Sequence, residues 1–160
     1  MKKTFVLFFF LFVNSAFSQW STDPNTNLMI CDVNGEQVLP KISLTSDGGC
    51  YIAWFDTRTG NYNVYLQRLD PSGNKMFATD GLLISDNTQN SYIVDWDMMT
   101  DNTDNAVIAF SDIRASGDFK VYAYLISPSG DFLWGGDGVS LSTATDMQPN
   151  PRITQTTDGY

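Results

Sequence analysis

The sequence predicts an all-β protein made of tandem four-stranded antiparallel sheets. Three observations support this fold class. A segment of about 55 residues is repeated along the chain, which is the signature of a repeat architecture. Each repeat contains short apolar or alternating runs separated by turn residues, as β-strands require. Beyond the first eighteen residues, no stretch places apolar residues at helical spacing.

The repeat is the strongest signal in the chain. Gly60–Gly81 aligns with Gly117–Gly138 without a gap, and eight of the 22 aligned positions are identical. Other anchors lie outside this block and give the same register. They are the segments Leu28–Cys31, Leu82–Ser85 and Val139–Ser142, and the pair Pro40–Ser43 and Pro151–Thr154.

The first two strands of each unit lie on either side of a turn. The first strand is predicted over Lys41–Thr45 and ends at the turn residues Asp47-Gly48-Gly49. The second is predicted over Cys50–Phe55 and is matched by Ala106–Phe110. Its nearly continuous apolar run is typical of a strand covered on both faces.

The third strand is predicted over Asn63–Leu69, matched by Lys120–Ile126, and both of its faces are substantially apolar. Asp70-Pro71-Ser72-Gly73 follows as a turn with proline at its second position. Two segments remain open for the fourth strand, Lys75–Phe77 and Leu82–Ser85.

Four-stranded units that are buried on both faces and repeated in tandem are typical of the blades of a β-propeller. A propeller has about 4–8 blades, and this chain carries roughly two and a half. We therefore expect an incomplete propeller that belongs to a larger protein. The predicted units are 28–81, 82–138 and the beginning of a third over 139–160.

Residues 1–18 have the layout of a secretory signal peptide, with Lys2 and Lys3 before an apolar run and Ala16-Phe17-Ser18 before the cleavage point. We expect cleavage before Gln19, a short lead-in over 19–27, and no stable membrane insertion afterwards. The net charge of −9 would then become −11 because two lysines leave.

Composition excludes several functions for this stretch of chain. The acidic balance argues against nucleic acid as a partner, since nucleic acids select clustered Lys and Arg. The sequence contains no His, so it has neither Ser-His-Asp nor Cys-His catalysis nor a His-ligated metal site.

The repeated phrase resembles the repeats of large secreted propeller-like proteins of Bacteroidota, which often end in a sorting domain for type IX secretion. It stands here as Ile52–Arg58, Gly60-Asn61, Val64-Tyr65 and Asp80-Gly81, and it recurs through Ala109–Gly138. The resemblance implies an extracellular or cell-surface propeller and no particular activity. Ser127–Trp134 fails the Asp-box pattern of sialidase-type propellers, with Ser129 in place of Asp and Asp131 in place of Gly.

Two charged pairs recur after the central strands, Asp56 with Arg58 and Asp112 with Arg114. Residues two apart on a strand share a face, so each pair can form a salt bridge. Such a pair could bind a sugar or a carboxylate. Because the pair recurs once per unit, however, it is better interpreted as a motif that stabilises each blade.

Two further features are weak candidates for binding. Asp101 and Asp104 lie in an oxygen-rich loop of the kind that calcium prefers, but the spacing lacks the EF-hand order. Trp96 takes the place of the isoleucines Ile42 and Ile153 in the repeat and is flanked by two aspartates, which would suit carbohydrate.

Cys31 and Cys50 would lie in an oxidising compartment, where they could either pair or remain as buried thiols. Neither cysteine recurs at its equivalent repeat position.

The expected function is a non-catalytic binding, adhesion or scaffold module, secreted or at the cell surface, with carbohydrate or a cell-surface protein as partner. One alternative is a propeller-type polysaccharide hydrolase, sialidase-like or another glycosidase, whose active site lies mostly on other blades. A second alternative is a purely structural surface repeat.

Overall fold

The computed structural model describes residue 23 and residues 25–89, 95–114 and 118–156. The predicted signal peptide lies outside these residues. The described chain is all-β, with two antiparallel four-stranded sheets and no helix. No helix among these residues is long and apolar enough to cross a membrane.

The first sheet pairs its strands in chain order. β1 to β4 cover Gln37–Leu44, Cys50–Asp56, Tyr62–Leu69 and Leu82–Gln89. The second sheet repeats this meander with β5 to β8. These strands cover Asp97–Thr100, Ala106–Asp112, Lys120–Ile126 and Val139–Ser140.

The fourth strand of each unit is the later of the two segments that the sequence leaves open. Leu82 begins β4 and pairs with Leu66 of β3, whereas Lys75 forms only an isolated bridge with Leu69. The sheets therefore do not share their boundaries with the sequence repeats. β4 opens the second repeat in sequence and completes the first sheet in space.

Strand alternation gives each sheet two faces, which we name front and back. In the first sheet, Tyr51, Ala53 and Phe55 lie on the front face, and Ile52 and Trp54 lie on the back face. By alignment of Ile52–Asp56 with Ile108–Asp112, the back face of the second sheet carries Ile108 and Phe110.

One hydrophobic core joins the two sheets, and it lies between the front face of the first and the back face of the second. The front-face residues of β2 share a buried cluster with Ile108 and Phe110. Met98 of β5 and Trp96, which directly precedes β5, enter the same cluster, and the Trp96 ring lies 5.3 Å from that of Phe55.

Candidate functional site

The recurring Asp–Arg pair of the first sheet is held by several internal hydrogen bonds. Asp56 ends β2 and is fully buried. The Arg58 side chain donates to its Oδ2 at 2.7 Å, and the Arg58 backbone N–H donates to its Oδ1 at 2.8 Å. The Trp54 indole N–H also donates to Oδ2, at 3.1 Å. Every one of these contacts is internal to the protein.

Arg58 connects this carboxylate to the turn before β4. Its guanidinium donates to the Asp80 carbonyl at 3.0 Å and lies 3.7 Å from the centre of the Tyr65 ring. An arginine over an aromatic face adds a cation–π attraction. Arg58 therefore links the turn after β2 to the turn before β4 while it neutralises a buried charge.

The second sheet repeats this arrangement with the same residue types. Asp112 is fully buried and accepts from the Arg114 Nε at 2.7 Å. Arg114 also donates to the Asp137 carbonyl at 2.6 Å and lies 3.8 Å from the centre of the Tyr122 ring. Its second amino group donates to the Tyr124 hydroxyl at 2.8 Å, a contact that the first sheet lacks because Gln67 holds that position.

The glycine of each Asp-Gly turn is required by this arrangement. Gly81 has a φ of +94°, and a Cβ there would lie 2.7 Å from the Trp54 ring. Gly138 has a φ of +65°, and a Cβ there would lie 2.6 Å from the Ala123 carbonyl oxygen. The arginine of each Asp-x-Arg element thus contacts the aspartate carbonyl of an Asp-Gly element, and this contact explains why the two elements recur together.

The electrostatics of the first pair favour the ionised forms. Burial opposes ionisation of Asp56, but the hydrogen bonds from Arg58 and Trp54 outweigh it and hold the pKa of Asp56 below its usual value. The hydrogen bond to Asp56 in turn raises the pKa of Arg58. Both groups are charged at neutral pH, so the pair is an ion pair.

Asp101 and Asp104 of the predicted oxygen-rich loop make structural contacts within the protein, and so do Asp95 and Asp97, which flank Trp96. Asp101 caps its own turn through Thr103 and Asn105, and Asp104 accepts from the backbone N–H of Ser46 at 2.7 Å, across the two sheets. Asp95 pairs with Lys41 at 3.1 Å, and Asp97 accepts from the Ile153 N–H at 3.0 Å. Among the described residues, no group of three or more His, Cys, Asp or Glu side chains could hold a metal ion.

Trp96, the weak candidate for stacking on a carbohydrate ring, does not expose its ring in this structure. Its side chain is fully buried in the core. The indole N–H donates at 3.1 Å to the Leu39 carbonyl, which lies at a bulge where β1 shifts its register with β2. The larger tryptophan is accommodated because this bulge supplies the acceptor that a buried indole needs.

The two cysteines are free thiols and lie at opposite ends of β2. Cys50 begins that strand, whereas the Cys31 thiol lies 3.9 Å from Oδ2 of Asp56, which ends it. Six residues of strand separate these points by about 20 Å, and a disulfide requires Cα atoms about 4.4–6.8 Å apart. Of the two predicted alternatives, a disulfide or two thiols, this structure contains two unpaired thiols.

The structure adds contacts that sequence reasoning missed. Cys31 accepts a hydrogen bond from Arg58 at 3.2 Å, and the tyrosines Tyr65 and Tyr122 stack against the two arginines. The Val-Tyr step of the repeat was the available signal for the tyrosines, because it recurs whenever the Asp-x-Arg element does.

Comparison of the chain with protein-family models, with curated proteins and with solved structures finds no match.

Proposed function

We propose that this chain forms consecutive blades of a secreted β-propeller that acts as a non-catalytic binding module. The observation that carries the proposal is the stacking of consecutive sheets. The front face of one sheet packs on the back face of the next, and both sheets have the same meander order. A stack that advances in one sense from repeat to repeat is the arrangement by which propeller blades surround an axis.

The segment after the second sheet supports the same progression. Pro151–Thr154 aligns with Pro40–Ser43 of β1, and it lies beside β5 as β5 lies beside β1. The Ile153 N–H donates to Asp97 at 3.0 Å. β5 and β1 are themselves linked by the Thr100 hydroxyl, which donates to the Ser43 hydroxyl at 2.8 Å.

The geometry of the charged pairs supports a structural use of these four residues rather than a catalytic one. Asp56 and Asp112 are fully buried, and their arginines are committed to turn carbonyls and tyrosine rings. A group that must exchange protons with a substrate needs access to it. We therefore place these pairs in the scaffold, and we place ligand recognition on the loops that the scaffold supports.

The predicted export and the resemblance to surface repeats favour carbohydrate or another cell-surface component as the ligand. The test is expression with the native N-terminus in an exporting bacterial host, followed by intact-mass measurement and a glycan array. We expect a product that begins at Gln19, binds a defined subset of glycans and releases no sugar from them. Thermally unfolded protein serves as the control.

Three results would count against the proposal. A product that retains residues 1–18 would contradict export by signal cleavage. Equal binding by folded and unfolded protein, or none by either, would contradict the binding function. Release of reducing sugar from a bound polysaccharide would favour the hydrolase instead.

A further inference from the structure

The third and fourth strands of the first sheet separate at one position. A register shift places Asn63 of β3 alone opposite three residues of β4, residues 86–88, before pairing resumes at Gln89. Residues in such a bulge leave the ladder of paired strands, so their carbonyl groups become available to other partners. We call residues 86–88 the first-sheet bulge.

The second sheet has a larger bulge at the equivalent position. The Leu141 N–H donates to the Val121 carbonyl, and the Gln148 N–H donates to the Phe119 carbonyl, both at 3.0 Å. Lys120 therefore lies alone opposite residues 142–147, which we call the second-sheet bulge. Lys120 is the repeat counterpart of Asn63.

The second-sheet bulge holds a buried positive charge with neutral oxygens. Lys120 is 8% exposed. Its ammonium donates to the Ala144 carbonyl and, at 3.1 Å, to the Asp146 carbonyl. None of the ion pairs among the described residues includes this lysine. Backbone carbonyls of the bulge thus provide a site for one monovalent cation.

The first sheet has a buried oxygen in place of that cation. Asn63 pairs with Asp56 as Lys120 pairs with Asp112, so the two side chains leave equivalent faces of their sheets. Asn63 is 2% exposed, and its amide nitrogen donates to the Thr59 hydroxyl at 2.8 Å. Its Oδ1 has no hydrogen-bond partner within the described part of the chain. A buried acceptor without a partner destabilises the fold.

The centre of the first-sheet bulge has no donor to offer this oxygen. The Asn87 N–H and the Asn87 side-chain amide both donate to the Ser85 hydroxyl, at 3.3 and 3.2 Å. The Asn63 Oδ1 and the carbonyls of the bulge are all acceptors, and acceptors cannot satisfy one another. A positively charged group is therefore the partner that would suit them.

We infer that the first-sheet bulge binds a monovalent cation of about the size of ammonium, such as potassium, through Asn63 Oδ1 and backbone carbonyls of residues 86–88. The ion takes the role that the Lys120 ammonium has in the second sheet. Backbone carbonyls bind potassium by replacing its hydration shell, whereas calcium takes about 6–8 oxygens with carboxylates among them. The inference depends neither on ring closure nor on glycan binding.

The test is thermal unfolding of the exported full chain in about 150 mM potassium chloride and in equimolar choline chloride. The two solutions screen charges equally, and choline is too large to enter the bulge. An ion that binds only the folded state raises Tm. For a Kd of about 30 mM, Tm should be at least about 2 °C higher in potassium. Ammonium chloride should have the same effect as potassium chloride.

Two variants remove the first-sheet site, and a third is the matched control. Asn63→Lys supplies a tethered ammonium, and Asn63→Ala removes the amide oxygen without adding volume. Each should abolish the Tm difference between potassium and choline. Asn61→Lys makes the same change of residue at an exposed position two residues away, and it should keep the difference. If Asn63→Lys does not fold, Asn63→Ala decides the question.

The reciprocal change tests the second-sheet bulge. Lys120→Asn removes the ammonium from the Ala144 and Asp146 carbonyls, so it should create a second site and a larger Tm difference than in the wild type. Lys75→Asn is its control, because the Lys75 ammonium donates at 2.8 Å to the Thr79 carbonyl at an exposed turn. This control should keep the wild-type difference.

Equal Tm values for the wild type in potassium and in choline would overturn the inference, because water would then suffice as the partner of Asn63. A difference that persists in Asn63→Ala, or one that disappears in Asn61→Lys, would also overturn it. Glycan binding is measured separately, so failure of the cation site and failure of the proposed function are distinguishable.

Discussion

Replacing Asp112 by asparagine removes one negative charge from the buried ion pair of the second sheet with little change in shape. The carboxylate is fully buried and accepts from Arg114 through its side chain and through its backbone N–H at 3.1 Å. Asparagine keeps an oxygen for the backbone contact. It loses the charge that compensates the guanidinium.

The expected loss of unfolding free energy depends on the contacts that Arg114 keeps after the substitution. Removal of one partner of a buried pair costs about 3–5 kcal/mol when the other charge stays buried. The Arg114 side chain is only 15% exposed, but it retains the Tyr124 hydroxyl and the Asp137 carbonyl. We therefore expect a loss near the lower end, about 3 kcal/mol of unfolding free energy. At about 2–4 °C per kcal/mol for a chain of this size, Tm falls by about 6–12 °C.

Thermal unfolding by circular dichroism at pH 7 measures this effect. Asp146→Asn is the control, because it makes the same change in net charge at an exposed side chain. Its Tm should stay within about 2 °C of wild type, since exposed substitutions cost within about 0.5 kcal/mol. Equal Tm values for Asp112→Asn and Asp146→Asn would refute the structural role assigned to the pair.

Four further outcomes are expected. Gly81→Ala should lower the unfolding free energy by at least about 1 kcal/mol more than Gly60→Ala, because both glycines have a φ of +94° but only Gly81 faces the Trp54 ring. Trp96→Phe should cost about 2–3 kcal/mol in urea unfolding, through lost volume and the lost bond to Leu39, whereas Trp134→Phe, at an exposed ring, should cost little. Asp56→Asn should be less stable than wild type at pH 7, and the difference should shrink as pH falls. The folded-state pKa of Asp56 lies below its ordinary 3.8, so its contribution is present above that value and is lost on acidification through the folded pKa. Titration of the denatured, unreduced protein should find two free thiols.

Each of these outcomes has a clear opposite. Equal losses of unfolding free energy for Gly81→Ala and Gly60→Ala would contradict the expected clash between a Cβ at position 81 and the Trp54 ring. Equal losses for the two tryptophan variants would contradict the burial of Trp96. A constant difference between Asp56→Asn and wild type down to pH 2.5 would contradict the lowered pKa, and fewer than two thiols would indicate a bridge.

Local patterns were sufficient to predict the second and third strands of each unit. β7 has the predicted limits, β2 and β3 are each one residue longer than predicted, and β6 is two residues longer. This agreement arises because apolar runs and turn residues are properties of neighbouring positions. β1 begins four residues earlier than predicted, at Gln37, because its bulge at Leu39 and Pro40 interrupts the alternation on which the prediction relied.

The contacts of the candidate site were predicted only in part, because they join residues that are far apart in the chain. The recurrence of Asp56 and Arg58 indicated a structural pair, but the Asp80 carbonyl that Arg58 contacts is 22 residues away. Trp96 was predicted as a candidate ligand-binding ring because two aspartates flank it in sequence. Its actual environment is the Leu39 carbonyl and the Phe55 ring on the other sheet.

The sequence by itself determined the repeat, the all-β class and the order of strands within each unit, since all of these depend on residues close together in the chain. The tertiary structure decided that β4 completes the first sheet, that Trp96 is buried and that Cys31 and Cys50 lie far apart. Those outcomes depend on which sheet faces pack together. Packing between sheets buries residues according to their position in space. The periodicity of a strand indicates only that one face is apolar, and it does not indicate which neighbouring element will cover that face.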